Sequence, residues 1–378
     1  MYTINIYNNI TSIIKDEWDL LTENNVYMCY EYLKNLEETT VYGLLPYYIT
    51  VNNQNKIIAA SVCHFEKSNK GRSINNIFLG RLYKYRFFKK ISFLPAVICN
   101  RQRGDGTHFI FSNDINEDQI IYLYNKILDE IESIAEKNKA SVCFLNIIKT
   151  EVNLINCLKK RGYINTIDLP SNFIVVNWSS FEGYKKYLSK KYPYMGKSIR
   201  HELNRNRKSG VVIVQLQNVD NLQERLIELL KMNHFKYNTS IFPLKPNYFQ
   251  RIKENFGNNA IIYAAKKNGI IIGVSIELRK GTEAFFSSLG VDPELSKKDM
   301  TYFNIAYYEP IKNATENKIK KIYYGIGLYR TKIKRGCITE DMSVFYKPQN
   351  ILTIPAVKLW FAFHRIWMKY KLSYIKKL

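Results

Sequence analysis

The chain has 378 residues, 46% hydrophobic and 14% aromatic, which is too long for one ordinary domain and suits two of roughly 150–200 residues. Lys and Arg number 56 against 33 acidic residues, a net charge of +23, and a surplus that large implies an anionic partner, whether RNA, a phosphate-bearing substrate or an anionic membrane face. Six cysteines without CxxC spacing and five histidines without HxxxH or HExxH argue against a metal site or a redox motif.

The periodicity of the first half predicts a strand at Thr3–Tyr7, helices near Ile13–Leu21 and Tyr27–Leu36, and a hairpin of Tyr47–Val51 and Lys56–Phe65 turned by residues 52–55. A strand follows near His108–Phe111. The helix Glu117–Lys137 repeats apolar residues at Ile120, Leu123, Ile127, Ile131 and Ile134, one face of a 3.6-residue period. A strand (Ala140–Ile147), a helix (Glu151–Arg161) and a last strand (Asn172–Asn177) complete the half. Residues 183–209 form a basic joining stretch, helical on both sides of Pro193.

The second half repeats the order: strand Val211–Gln215, helices Asn221–Phe235 and Asn247–Phe256, and strands Ala260–Lys266, Ile270–Lys280 and Glu283–Val291. Helix Thr301–Asn317, strand Ile319–Tyr324, helix Tyr329–Lys334 and strand Met342–Tyr346 follow. Leu158–Tyr163 and Lys332–Cys337 share a Lys-Arg-Gly ending, with each glycine where a helix would close in a left-handed cap. This is the order of the GNAT N-acyltransferase fold, present twice. The expected class is α+β: two tandem GNAT-like domains, each a mixed, mostly antiparallel sheet flanked by helices, plus a C-terminal amphipathic helix. The corresponding division is 1–180, 181–210 (joining helices), 211–349 and 350–378.

Two segments carry a closer likeness. Tyr194–Val211, Lys/Arg-rich and ending in Gly-Val, and Ile322–Gly336, a strand, glycine turn and Lys-bearing helix, resemble the Fem-type peptidoglycan aminoacyltransferases and their tandem-GNAT relatives. Phe93–Val97 and Arg103–His108 echo first-domain loops of the broader group. The resemblance implies transfer of an aminoacyl or acyl group from a carrier to an amine, possible donors being aminoacyl-tRNA and acyl-CoA. It also implies a transition-state Lys at Lys332, as oxyanion stabiliser or acid, with Thr331 in place of the usual aromatic. Leu158 holds the matching place in the first half, which is therefore expected to be inactive. Typical acetyl-CoA enzymes of the fold cradle pyrophosphate on a glycine-rich loop after the fourth strand, where backbone N–H groups converge at a helix N-terminus. Here that loop is Val291–Met300, with two prolyl-flanking acids and no glycine, which favours tRNA over coenzyme A. The long coiled-coil arm usual in the Fem type has no counterpart.

The candidate catalytic residues are thus Lys332, Tyr329 and, as a base, Asp292; Glu294 and Glu277 are weaker candidates. Substrate or phosphate contacts are expected from Lys197, Arg200, Arg205 and Arg207 on the joining helix, and from Gly325, Gly327 and Arg335. Each has a plain structural alternative, such as a solvated basic face with Glu202 as partner. The tail from Ala356 would align Lys358, Arg365, Lys369 and Lys376 opposite Trp360, Phe363, Trp367 and Tyr374, suited either to an anionic membrane surface or to packing on the core. With no signal-peptide pattern and no run near the ~18 apolar residues of a membrane span, a cytoplasmic protein, peripheral at most, is expected. A non-catalytic RNA- or envelope-binding protein of the same fold is the remaining alternative.

Overall fold

The computed structural model describes residues 2–41, 45–68, 74–100, 108–237 and 241–376. Strands are numbered in chain order. The first sheet holds β1 (Tyr2–Tyr7), β2 (Leu45–Asn53), β3 (Lys56–Glu66), β4 (Ala96–Cys99), β5 (Phe109–Phe111), β6 (Ser141–Ile148) and β7 (Ile164–Ile167). The second holds β8 (Ser171–Val175), β9 (Val211–Gln215), β10 (Ala260–Lys267), β11 (Ile270–Lys280), β12 (Glu283–Val291), β13 (Lys321–Tyr323) and β14 (Ile338–Glu340). The last strand, β15 (Met342–Lys347), belongs to the first sheet.

Local chemistry explains most elements. Asn116 and Gln119 form a reciprocal capping box that starts the helix Glu117–Lys137, and its apolar stripe, Leu123, Ile127, Ile131 and Ile134, is buried on the first sheet. The β10–β11 hairpin turns on Asn268-Gly269, both at positive φ, the turn that matches strand twist. Gly290 is fixed by close approach: a Cβ there would meet the backbone of Leu229 at 2.3 Å, because β12 lies directly on the helix Gln223–Tyr237.

The two sheets are built to one plan. Their orders are β1-β2-β3-β4-β6-β15-β7 and β9-β10-β11-β12-β13-β8-β14, and each contains one parallel pair at the same place, β4 with β6 and β12 with β13. The duplicated helix ends also match. Gly162 (φ 80) and Gly336 (φ 92) each close a Schellman turn, with Tyr163 N–H on the Leu158 carbonyl and Cys337 N–H on the Lys332 carbonyl at 3.1 and 3.0 Å.

The halves, however, exchange a strand. β8 leaves the first half and inserts between β13 and β14; β15 leaves the second half and inserts between β6 and β7. A linear cut near residue 180 or 211 therefore does not follow the sheets. Periodicity reads most of the strands, passes over the short β7 and β14, and cannot tell which sheet a strand joins. It also takes Phe93–Val97 for loop, whereas Ala96–Cys99 is the buried central strand β4. Arg103–Thr107 lie outside the described residues. Two joining helices, Phe181–Lys191 and Met195–Lys208, flank Pro193.

The helix Ile354–Lys376 closes the first half. Val357, Phe361, His364, Met368, Leu372 and Ile375 face inward, Phe361 meeting Phe78 and Tyr346. Trp360 is turned toward this core, its Nε1 donating to the Phe78 carbonyl at 3.2 Å. No helix among the described residues is long and apolar enough to cross a membrane.

Exchange makes each half dependent on the other. Residues 1–180 expressed alone leave the facing edges of β6 and β7 unpaired and should aggregate or stay loosely folded. Co-expressed with residues 181–378 they should be recovered as a one-to-one complex. Size-exclusion chromatography with circular dichroism checks this; a monomeric 1–180 fragment that unfolds cooperatively would refute the dependence.

Candidate active site

β12 and β13 pair in parallel only over Glu283–Phe285 with Lys321–Tyr323. Beyond that point β12 runs on to Val291 along β11, while β13 stops and the chain turns through Tyr324–Leu328 into the helix Tyr329–Lys334. The two strands part here. The gap receives three stacked rings: Tyr324 lies 5.3 Å from Phe286 and 5.1 Å from Tyr307, centroid to centroid. Burial raises the Tyr324 phenol well above its ordinary pKa, and its Oη has no hydrogen-bond partner among the described residues.

Gly325 (φ 65), Gly327 (φ 83) and Leu328 (φ 50) give the turn its left-handed path. A Cβ on either glycine would meet open space, so the requirement is conformational. Lys332 lies inside the turn. Its Nζ donates to the carbonyls of Tyr324, Gly325 and Ile326 at 2.8, 2.9 and 3.0 Å, using all three ammonium donors. Desolvation pulls its pKa down to about 8, while the three carbonyls favour the charged form. These peptides are trans, so each carbonyl held on Lys332 sets the following N–H in the opposite direction. The N–H groups of Gly325, Ile326 and Gly327 consequently point away from the ammonium.

The first half supports this turn from below. Asn172 of β8 donates to the Gly325 carbonyl through its backbone N–H (3.1 Å) and its Nδ2 (2.7 Å), and the Tyr329 hydroxyl donates to the Pro170 carbonyl at 2.9 Å. Tyr329 thus anchors the helix to the exchanged strand.

Arg335 is buried in the same cluster and is not presented to solvent. Its Nη2 donates to both Glu202 oxygens at 3.0 and 2.9 Å, and its guanidinium lies 3.8 Å from the Phe303 ring centroid. The Tyr308 hydroxyl donates to the same carboxylate, and Tyr184 Oη donates to the Arg335 carbonyl at 3.0 Å. Glu202, the lone acid of the helix Met195–Lys208, therefore serves Arg335 and leaves the cations of its own helix unpaired. Lys197, Arg200, Arg207 and Lys208 are exposed, without an ion-pair partner among the described residues. Arg205 donates through Nε to the Lys298 carbonyl at 2.9 Å. Arg207 borders an open groove of about 320 Å³ that Asn304 and Glu309 also line.

Asp292 lies elsewhere. It is six residues beyond Phe286 on β12, roughly 20 Å at about 3.3 Å per residue. Its Oδ1 accepts from the N–H groups of Glu294 and Leu295, both at 3.0 Å, and its Oδ2 from Arg225 Nη2 at 2.7 Å. Burial pushes this carboxyl up, but the Leu295 N–H and the Arg225 guanidinium outweigh it and hold the pKa below the usual carboxylate range. Asp299 caps the next helix in the same way, accepting from the Thr301 N–H at 3.0 Å. The loop after β12 has thus bound its own N–H groups to its own carboxylates. Glu277 is fully buried on β11 with Arg279, Nε to Oε1 at 2.6 Å, and its pKa is raised by burial against that partner. The structure therefore gathers Lys332, Tyr329, Gly325, Gly327 and Arg335 at the strand parting, sets the exposed cations on a neighbouring helix, and separates Asp292 from both. Neither the Phe286–Tyr324–Tyr307 stack nor the Glu202–Tyr308 contact is legible in the sequence, since both join distant segments; the one hint of the second is an acid isolated among cations.

In the first half, the parallel pairing of β4 with β6 ends at Cys99 and Phe144, and here it is β6 that runs on, to Ile148. Leu158 stands in the place of Lys332 and is fully buried in hydrocarbon. His108 is buried between Glu151 and the Leu145 carbonyl, Nδ1 to Oε1 at 3.1 Å. Among the described residues no group of three or more His, Cys, Asp or Glu side chains could hold a metal ion.

A duplicated unit with a polar strand parting in its second copy defines the class: a protein of the tandem GNAT fold. The chain belongs to the FemAB-like family of peptidoglycan biosynthesis and recognition, whose pattern it matches over residues 9–365. Similar solved structures include FemX (11% identity, 92% of this chain and 98% of that one, TM-score 0.59). The L-PGS of Bacillus licheniformis is also similar (11%, 93% and 97%, TM-score 0.55), as is a tandem GNAT protein of the clavulanic acid pathway (8%, 93% and 99%, TM-score 0.51). At these identities the likeness is one of fold. No curated protein matches the chain in sequence.

Two measurements examine the cluster. Replacing Arg335 by Met leaves Glu202 buried and unpaired and should cost roughly 3–5 kcal/mol in urea unfolding, partly recovered by adding Glu202→Leu; a loss below about 1 kcal/mol would mean the pair is not buried as described. For Lys332, the folded pKa of about 8 lies below the ordinary 10.5. Between those values the unfolded chain holds more protons, so stability rises with pH and is lost again as pH falls through 8. The difference in unfolding free energy between wild type and Lys332→Met should change across that window; a flat difference would assign the ammonium an ordinary pKa.

Proposed function

We propose that the chain moves an aminoacyl group from aminoacyl-tRNA to an amine, at the strand parting of its second half, and that a cell-envelope precursor supplies the amine. The observation that carries the choice of donor is the loop after β12. A coenzyme A pyrophosphate would need the N–H groups that Asp292 and Asp299 already occupy, and it would meet two carboxylates there. The unpaired cations of the joining helix suit a tRNA backbone instead.

The amine attacks the ester carbonyl, a C–N bond forms, the C–O bond to the terminal ribose breaks, and the proton lost by the nitrogen is balanced by one gained by the departing ribose oxygen, which leaves as a hydroxyl. Negative charge develops on the carbonyl oxygen, and donors fixed in advance lower that barrier most. The N–H groups of Gly325, Ile326 and Gly327 are the donors we assign. Lys332 acts through them: with its three donors on carbonyls, it orients the turn and adds a positive charge behind it. Tyr329 holds the helix in register. In this reading the first half, with Leu158 at the equivalent place, is a scaffold, and Asp292 closes a loop and does not serve as the base.

The test is transfer of labelled amino acid from charged tRNA, and of labelled acyl groups from acyl-CoA, onto a panel of amines that includes muropeptide precursors. Transfer from charged tRNA alone is expected. Arg200→Ala with Arg207→Ala should raise KM for tRNA on the order of tenfold and reduce the salt dependence, with kcat little changed. Transfer from acyl-CoA alone would overturn the donor assignment, and inactivity with every donor would leave a binding protein of the same fold.

A further inference from the structure

The helix Ile354–Lys376 has two apolar faces. One is buried on the first half, as described. The other exposes Leu359, Phe363, Ile366, Tyr370 and Tyr374, each at least 65% open to solvent. Their spacing of four, three, four and four places them in one row along the helix, about 22 Å long at 1.5 Å per residue. The segment Gly80–Lys90 lies alongside, with the Phe88 ring 6.2 Å from Trp360 and Gly80 under the Trp367 ring, and it adds exposed Tyr85 and Phe87. Monomeric proteins rarely leave so extended an apolar surface bare.

The charge around the row is one-sided. Lys358, Arg365 and Lys369 follow one flank of the helix, with Lys376 beyond them paired to Asp341 at 3.0 Å, and Lys371, over Trp367 at 3.5 Å, marks the other. Lys84, Arg86 and Lys90 are exposed on the adjoining segment. Residues 67–104 contain ten cations and no acid, and residues 342–378 contain seven cations and no acid. Both segments of the face, Gly80–Lys90 and Ile354–Lys376, thus lie within stretches of sequence that carry cations and no acid.

We infer that this face docks on a bilayer rich in anionic lipid, the helix lying in the plane of the surface with its outer row among the acyl chains and its flanking cations on lipid phosphates. A second copy of the chain is the poorer occupant, because it would oppose cation to cation with no acid on either helix. A nucleic acid would neutralise the flanks and leave the row uncovered. The contact is independent of which carrier donates the acyl group.

The test is flotation of the full chain with vesicles of phosphatidylcholine alone or with phosphatidylglycerol. Two variants accompany it: Phe363→Glu with Ile366→Glu and Tyr370→Glu, and Lys358→Gln with Arg365→Gln and Lys369→Gln. All six side chains lie off the buried face, so each variant should keep the wild-type Tm, measured in parallel. Wild type should float with phosphatidylglycerol vesicles only. The glutamate variant should bind at least about tenfold more weakly, and the glutamine variant on the order of 100-fold more weakly at low salt. Absence of wild-type flotation, or full binding by a glutamate variant of unchanged Tm, overturns the inference. A concentration-dependent dimer that the glutamate variant abolishes, with no vesicle binding, would give the face to a second copy. Flotation abolished by uncharged tRNA, with tRNA binding itself lost in the glutamate variant, would give it to nucleic acid.

Discussion

The hydrogen bonds of two exchanged strands hold this molecule together, and the site inherits its geometry from them. β8 crosses into the second sheet and brings Asn172 and Pro170 under the glycine turn, where they fix Gly325 and Tyr329. A site assigned to the second half by sequence order thus rests on a strand made by the first. The first half need not react to matter, since it supplies a wall that the second cannot make for itself.

Burial then decides what each cation can do. Lys332 and Arg335 are three residues apart, at the end of one short helix and on its C-cap, yet they face different partners: backbone carbonyls for the ammonium, a carboxylate and an aromatic face for the guanidinium. The lysine, a compact charge with three donors, fits inside a turn; the planar fork of the arginine suits Glu202 and Phe303. Neither projects freely into the strand parting, so their influence on a reacting carbonyl passes through the backbone they orient. The arginines of the joining helix differ, because the one acid of their own helix is already occupied.

The sequence showed the repeat well because its evidence is local. The apolar period of Glu117–Lys137, the Gly162 and Gly336 helix ends and the long second-half strands all depend on neighbours within a few residues. What it hid depends on partners far along the chain. Nothing in Ser171–Val175 announces that it pairs with Lys321–Tyr323, more than 140 residues later. β4 was missed because four fully buried residues, Ala-Val-Ile-Cys, show no alternation. For the site, Lys332 and its glycines were legible as a motif, but Asp292 looked like a base until its loop contacts appeared. A carboxylate that caps a loop and one that takes a proton read alike in a sequence.

The interlocking also orders events during synthesis. β6 and β7 leave the ribosome as neighbours in sequence but stay apart in the finished sheet, since the strand that lies between them is translated only after the whole of the second half. Until it arrives, two open strand edges wait in the nascent chain, a hazard for aggregation that local folding cannot remove. Translation speed and chaperone access over that interval should therefore govern yield more than the stability of the completed protein does.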